Sequence, residues 1–476
     1  MEKSVNKYSN DPELYGLLQE LISRISALES ENARLRSENS ELKSRLSQDS
    51  RNSHKPPSSD GLRRRHKIKN NRVSSGRTRG GQKGHKGKTL KQVTNPDKKV
   101  VRHVDICPNC SNNLKENPVE STKRRQVFDI PPINIEVTEY ELEVKTCPDC
   151  GEKVTGNCPE ASAPVQYGNR VQSLAAYLLN YQLLPFERMQ EFSNDILGIN
   201  LSDGFLTRVN SLYYEHLHDF EVWVKDQLKE GDIIHNDETG LRCCGKTQWV
   251  HVTSNKNLTH YFFHPKRGKA AIDANDILTN FNGVSVHDRW ASYEKYDCSH
   301  AYCNAHLLRD LKFLSEEMDK KWASQMIQLL LDGKKISENI FHNQSDLIKE
   351  IEERYKKIIE LGIATEPPPI PTQKRGRKPK SKSLRLLEVF RDKKSNILKF
   401  LYDPNVPFDN NLAERDLRMI KLKQKISGCF RTQLGAERFC RIRSFISTAK
   451  KQNLNIIDAI SAIFNLDNIW LNFQRT

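Results

Sequence analysis

No apolar run in this chain approaches the roughly 18 residues that a bilayer-spanning helix needs, which excludes a helical membrane protein. The first residues, Met1-Glu2-Lys3-Ser4-Val5-Asn6, lack the apolar core of a secretory leader. A cytoplasmic protein is therefore expected, and the eleven cysteines read as thiols or metal ligands rather than disulfides. A nucleotide-binding loop is also missing. The glycine-rich run Gly80-Gly81-Gln82-Lys83-Gly84-His85-Lys86-Gly87-Lys88 has no strand–helix context, so it excludes an ATP site, although it can follow a phosphate backbone closely. Acidic residues are scarce in two stretches. Between Arg51 and Arg102, seventeen Lys/Arg face only Asp60 and Asp97, and from Arg415 to Thr476 twelve face four acids. With a net charge of +16 so concentrated, the expected partner is a polyanion, double-stranded DNA above all.

The remaining composition, 36% hydrophobic and 29% charged over 476 residues, calls for several domains. Leu14, Leu21, Leu28, Leu35 and Leu42 recur every seven residues beside a seam of Leu18, Ile25, Asn32, Asn39 and Leu46. This pattern predicts a coiled-coil dimerisation helix over 11–48, its asparagines favouring a parallel pair. Residues 49–102 are too polar to offset chain entropy and read as a basic flexible arm. Cys107-Pro108-Asn109-Cys110 and Cys147-Pro148-Asp149-Cys150 flank the alternating stretch 133–144. They predict a zinc ribbon over 103–160, with four thiolates closing the shell of a structural Zn2+. Residues 165–228 read as helical. Gly198 ends one helix and Ser202 caps the next, a pattern open to either a helix-turn-helix or a plain connector.

From 229 the texture turns to strands at 232–237, 247–254, 258–263 and 283–287, with a helix at 270–281 before the fourth. Three strands, a helix and a further strand open a ribonuclease-H-like α/β core (229–310). In it Asp237 ends the first strand and Asp288 ends the fourth. A helical insertion with a basic linker spans 311–400, the core resumes over 401–450, and a helical tail occupies 451–476. Arg375-Gly376-Arg377-Lys378-Pro379-Lys380 in the linker faintly resembles a minor-groove hook. Asp409-Asn410-Asn411-Leu412-Ala413-Glu414-Arg415 puts Glu414 on one helical face with Arg418 and Lys421, at i, i+4 and i+7.

Phosphoryl transfer by two divalent ions needs a few converging carboxylates, and Asp237, Asp288 and Glu414 supply three. Glu238 would point to the opposite strand face, and Asp409 also suits a helix cap. Arg415, Arg418, Lys421, His306, Arg309, Lys83, Lys86 and Lys88 are candidate DNA contacts. Cys298, His300, Cys303 and His306 could hold a second zinc, although His306 with Arg309 suits phosphate equally well. Trp249 and Trp290 read as core or rim residues, and Lys266-Arg267-Gly268-Lys269 as a solvated turn or a phosphate contact.

The chain resembles the DDE transposases of insertion-sequence family sixty-six. The resemblance is carried by the arm Asn52-Ser53-His54-Lys55-Pro56-Pro57-Ser58-Ser59-Asp60, the Gly80–Gly87 run, the cysteine knuckles and Gly435-Ala436-Glu437-Arg438. Its most specific pieces are His235-Asn236-Asp237-Glu238-Thr239, Val286-His287-Asp288-Arg289-Trp290, Cys303-Asn304-Ala305-His306 with Arg309, and Asn410-Asn411-Leu412-Ala413-Glu414-Arg415. The departures, His54 for a serine and Asn304 for a frequent aromatic, leave the acids untouched. The resemblance implies a catalytic triad of Asp237, Asp288 and Glu414 using two Mg2+ or Mn2+. It also implies cleavage at element ends, strand transfer to target DNA, a synaptic homodimer or larger assembly, and accessory proteins encoded by the element. The rival reading is a zinc-containing dimeric DNA-binding regulator, or a decayed transposase whose acids are structural. A ribonuclease-H-like nuclease without strand transfer shares the chemistry.

Overall fold

The computed structural model describes residues 12–46, 84, 89–338, 344–366 and 380–473. Lys83, Lys86, Lys88 and most of the hook-like 375–380 segment lie outside them. The chain divides into two compact units, 65–137 and 1–64 with 138–476. Among the described residues no helix is long and apolar enough to cross a membrane.

In the larger unit α1 (Pro12–Leu46) starts on a proline, whose fixed φ suits a first helical position. Its seam residues Leu21, Leu28, Leu35 and Leu42 are half exposed. A short hairpin follows, β1 (Val144–Thr146) against β2 (Lys153–Thr155). The alternating stretch before it, expected as strand from residue 133, forms no ladder until Val144. α2 (Asn169–Ala176) runs into a π-helical turn at Tyr177–Tyr181. α3 (Phe186–Leu197) ends where Gly198 takes φ 68°, a left-handed cap that glycine adopts without strain. Ser202 then accepts a hydrogen bond from the Phe205 amide and starts α4 (Asp203–His216), as its sequence predicts. α5 (His218–Lys229) completes this helical layer, whose core runs through Leu206, Tyr213 and Phe220.

The central sheet is built from β3 (Ile233–Cys243), β4 (Lys246–Ser254), β5 (Thr259–His264), β6 (Val284–His287) and β7 (Ser299–Tyr302). Its order is β5-β4-β3-β6-β7; β3, β4 and β5 are antiparallel, while β6 and β7 join parallel. Between β5 and β6 lies α6 (Lys269–Asn275), shorter than expected because Asp276 turns left-handed and a 3-10 turn, Leu278–Asn280, replaces its end. The first strand is also longer than its apolar run suggests. Cys244 and Gly245 both take positive φ (51° and 71°), the two-residue turn that matches strand twist, so the β3–β4 hairpin continues past Asp237. Asp237 therefore lies mid-strand; what stops near it is the parallel ladder to β6, whose last pair is His235 with Val286. At the far end of that ladder a Cβ on Gly283 would sit 2.2 Å from the Asp232 carbonyl, so only glycine lets β6 approach.

After β7 come α7 (Asn304–Glu317), α8 (Lys321–Glu338), α9 (Gln344–Thr365), α10 (Lys382–Asp392), α11 (Lys394–Ile397) and α12 (Lys399–Tyr402). They share a core through Leu311, Trp322, Leu330, Tyr355 and Phe390. The chain then returns to the sheet with α13 (Asn411–Ser427) and α14 (Gln433–Lys451), and ends on α15 (Ile456–Phe464). Ala413, Leu417 and Ile420 of α13 bury against Val250, Val252 and Tyr261, a stripe at helical period. Polar ties fix the register: Lys451 pairs with Asp416 at 2.9 Å, and Tyr261 Oη donates to the Asp416 carbonyl.

In the smaller unit, Gln92 and Val93 bond to Arg124 and Gln126, and Ile106 bridges Asn113.

Candidate active site and cysteine knuckles

The sheet carries polar side chains where apolar ones would ordinarily pack. His235 and Asn236 of β3 are both buried. Asn236 Nδ2 donates to Ser285 on β6, and Thr253 on β4 donates to Asn236 Oδ1, so three strands share one polar contact. Asn410, just before α13, completes the belt: Nδ2 donates to the Asn236 carbonyl at 2.9 Å, and Oδ1 lies 2.8 Å from His235 Nδ1. Burial pushes the His235 imidazole down to about 4, so it is neutral and its Nδ1–H can donate to Asn410. A buried amide satisfied on both sides fixes where α13 begins. The Asn411 amide meanwhile donates to Asp409 Oδ1, but the N-cap of α13 is Asn410, not the Asp409 that the sequence suggested.

This belt sets the acids. Burial raises the Asp237 carboxyl well above the usual range, and the charges of Glu238, Asp288 and Glu414 raise it further. Glu414 is raised by burial and by Asp409 and Asp288, while Arg309 and Arg418 pull it down. Asp288 follows β6 and accepts the Trp290 amide at 3.0 Å. The three acids thus lie within electrostatic reach of one another. Among the described residues the tightest set of potential metal-ligating atoms is another one. Cys303 Sγ, a His306 ring nitrogen and a Glu414 oxygen lie within 4.8 Å of one another, a closeness the three acids do not reach. Cys298 and His300 stand outside that group, and His300 instead bonds to His287 Nε2 and the Tyr296 carbonyl.

The candidate cations behave differently from one another. Arg415 and Arg418 are exposed on α13, with Arg415 Nε reaching only the Asn411 carbonyl. Lys421 donates to the Gly240 carbonyl on β3 at 2.6 Å, and desolvation lowers its ammonium. His306 Nε2 is 3.6 Å from Glu414, and Arg309 acts on the same carboxylate.

Arg267, read from sequence as part of a turn or a phosphate contact, turns inward. It gives Nε and Nη2 to Glu238 Oε1 and lies 4.8 and 4.3 Å from the ring centroids of Trp249 and Trp290. Tyr293 Oη donates to the other Glu238 oxygen. Glu238 is thereby buried, clamped and still close enough to Asp288 to be raised by it. Neither this cage nor the Asn410 belt was recognised from sequence; the available signal was polar residues at consecutive positions of a strand that should be buried.

The two knuckles are built alike. Cys107 N–H donates to the Asn112 carbonyl and Ser111 N–H to the Cys107 carbonyl; Cys147 pairs with Glu152 and Gly151 in the same way. Ser111 and Gly151 each take positive φ, 59° and 73°. Amides two and three residues on, with the second thiol, bond Cys107 and Cys147 and lower both thiols. Sulfurs met by N–H donors at C-x-x-C spacing fit a thiophilic cation such as zinc. Cys107 with Cys110 falls in the smaller unit and Cys147 with Cys150 in the larger.

A mixed α/β sheet with acids near one another, nearby cations and, elsewhere in the chain, two cysteine knuckles fits a protein of the transposase class. More narrowly, residues 164–438, over half of the chain, match the Transposase IS66 family, and the chain belongs to that family. Residues 105–151 match the zinc-finger binding domain of transposase IS66, and residues 6–91 match a family of unknown function (DUF6444). No curated protein matches the chain.

Proposed function

We propose that this transposase cuts DNA at element ends and joins the freed 3′-hydroxyl to target DNA, with Asp237, Asp288 and Glu414 as the acids of a ribonuclease-H-like core. What carries this reading is the burial of Asp237 within reach of the charges of Glu238, Asp288 and Glu414, in a chain of the Transposase IS66 family. Like charges crowded into a half-dry site repel, and divalent cations relieve that repulsion. A pair of Mg2+ or Mn2+ ions held there would activate the attacking oxygen and stabilise the departing one.

The chain's own residues do the remaining work. Asn410 fixes the start of α13, which leaves Glu414 partly buried beside Cys303 and His306. To complete the proposed triad, Glu414 has to turn from Cys303 and His306 toward the aspartates. Arg267 and Tyr293 neutralise and hold Glu238, so a fourth carboxylate does not compete for the cations. Arg415 and Arg418 are exposed and would neutralise DNA phosphates, with His306 and Arg309, both near Glu414, as further contacts. Cys107, Cys110, Cys147 and Cys150 would hold one structural zinc, while α1 pairs two protomers so that both element ends are handled together. The strand order, with three antiparallel strands and two parallel additions, supports the ribonuclease-H-like assignment.

The test is a Mg2+- or Mn2+-dependent nicking and joining assay on element-end DNA. Asp237→Asn should lose cleavage by about a thousandfold or more, as removal of several kcal/mol of metal-borne stabilisation demands, with DNA binding intact. Wild-type cleavage in that variant sinks the assignment. Binding without cleavage in the wild type favours the regulator or decayed-enzyme reading, and cleavage without joined products favours the nuclease.

A further inference from the structure

Cys303 caps α7 and His306 lies one turn into it, so C-x-x-H spacing puts thiol and imidazole on the same side of one helix start. Glu414 reaches them from α13, its Oε1 buried and without a hydrogen-bond partner. The three donor atoms lie within 4.8 Å of one another, close enough for small side-chain shifts to bring them round one ion. The sulfur already has one donor. The Asn410 amide donates to Cys303 Sγ at 3.2 Å, the N–H support that thiolate ligands receive in metal sites, while burial holds the metal-free thiol up at about 12, so a cation has to displace its proton. Cys303 is buried, whereas His306 and Glu414 keep 16% and 19% side-chain exposure, so an ion reaches the sulfur past them.

We infer that Cys303, His306 and Glu414 form a binding site for a thiophilic divalent cation, with Zn2+ the best match, and that occupying it holds Glu414 away from Asp237 and Asp288. One sulfur, one imidazole nitrogen and one carboxylate oxygen make a three-ligand set with a fourth position for water. That set prefers zinc, whereas Mg2+ takes oxygen ligands, so the two ions compete for Glu414 rather than for each other's site. Zinc here is an inhibitor of strand cleavage. The inhibitory half rests on the catalytic assignment of Glu414; the binding half does not.

Full-length metal-free protein titrated with Co2+ tests the binding half through the thiolate-to-cobalt absorption band. Cys107→Ser/Cys147→Ser protein, in which the knuckles no longer dominate the signal, should keep a band, and adding Cys303→Ser should remove it. Serine still accepts the Asn410 amide, and His306→Asn provides a second variant whose Co2+ affinity should fall by at least about tenfold. An unchanged band or affinity in both variants overturns the site. For the inhibitory half, Zn2+ is titrated into Mg2+-supported cleavage. The half-inhibiting concentration should rise at least about tenfold in Cys303→Ser. Equal inhibition in wild type and variant overturns that role while leaving the site. Cleavage surviving in Glu414→Gln with the cobalt band intact would overturn the catalytic assignment alone.

Discussion

The helix Pro12–Leu46 and the helix Asn411–Ser427 both carry a regular apolar stripe, yet only one of them buries it. In α13, Ala413, Leu417 and Ile420 vanish against the sheet and leave Arg415 and Arg418 outside. In α1, Leu21, Leu28, Leu35 and Leu42 remain half exposed along the whole helix. The difference lies in polar anchoring rather than in period, since Ala413, Leu417 and Ile420 repeat the same four-and-three spacing as Leu21, Ile25 and Leu28. Only α13 has a buried amide at its start that names the strand it must meet. Amphipathicity supplies adhesion; the polar tie supplies the address.

The most damaging way to probe this contrast is to remove the address. Asn410→Ala would leave the His235 ring and the Asn236 carbonyl without their partner, costing about 3 kcal/mol in urea unfolding. Cleavage should fall more than stability alone explains, because Glu414 loses its register. A loss below about 0.5 kcal/mol would make the belt incidental and the contrast empty.

A smaller effect on folding, but a complete one on assembly, is expected from Leu28→Lys. A charge on the seven-residue seam should convert dimer to monomer in sedimentation, while the unfolding midpoint of the sheet-bearing core stays put. An unchanged mass would mean that the exposed stripe of α1 has no second copy as its partner.

The subtlest test asks whether burial of neutral imidazoles, confined to the sheet region, sets the acid limit. Burial depresses His260, like His235, His251 and His287, from 6.5 to about 4. A histidine depressed in the folded state binds its proton more readily when unfolded. Its stabilisation is therefore present above 6.5 and drains away as pH falls from 6.5 toward 4. His260→Gln should shallow the decline of melting temperature over that window. A slope identical to wild type would remove His260 from the acid limit.

Local features of this region were legible in the sequence, for identifiable reasons. Asp288 directly follows a four-residue strand and Glu414 follows two amides at a helix start, whereas Asp237, expected at a strand end, lies within an eleven-residue strand because the β3–β4 hairpin runs on past it. The Gly198 stop and Ser202 cap are equally local. What escaped is what depends on distant pairing. Asn410 meets residues more than 170 positions away, and Arg267 folds onto Glu238 between two tryptophans from separate segments. Hydrophobic period could not reveal β7, only four residues long with Ser299 and His300 at its start. Nor could it show that 382–402 divides into α10, α11 and α12, because the breaks at Lys393 and Leu398 carry neither glycine nor proline.

The helical insertion separates the strand before Asp288 from the helix bearing Glu414, and this order has a consequence during synthesis. On the ribosome the cysteine knuckles and both aspartates emerge first, and Glu414 follows only after helices α7 to α12. Under the proposed assignment of the three acids, a nascent or prematurely terminated chain lacks the last of them, and scission is reserved for molecules whose translation is nearly finished.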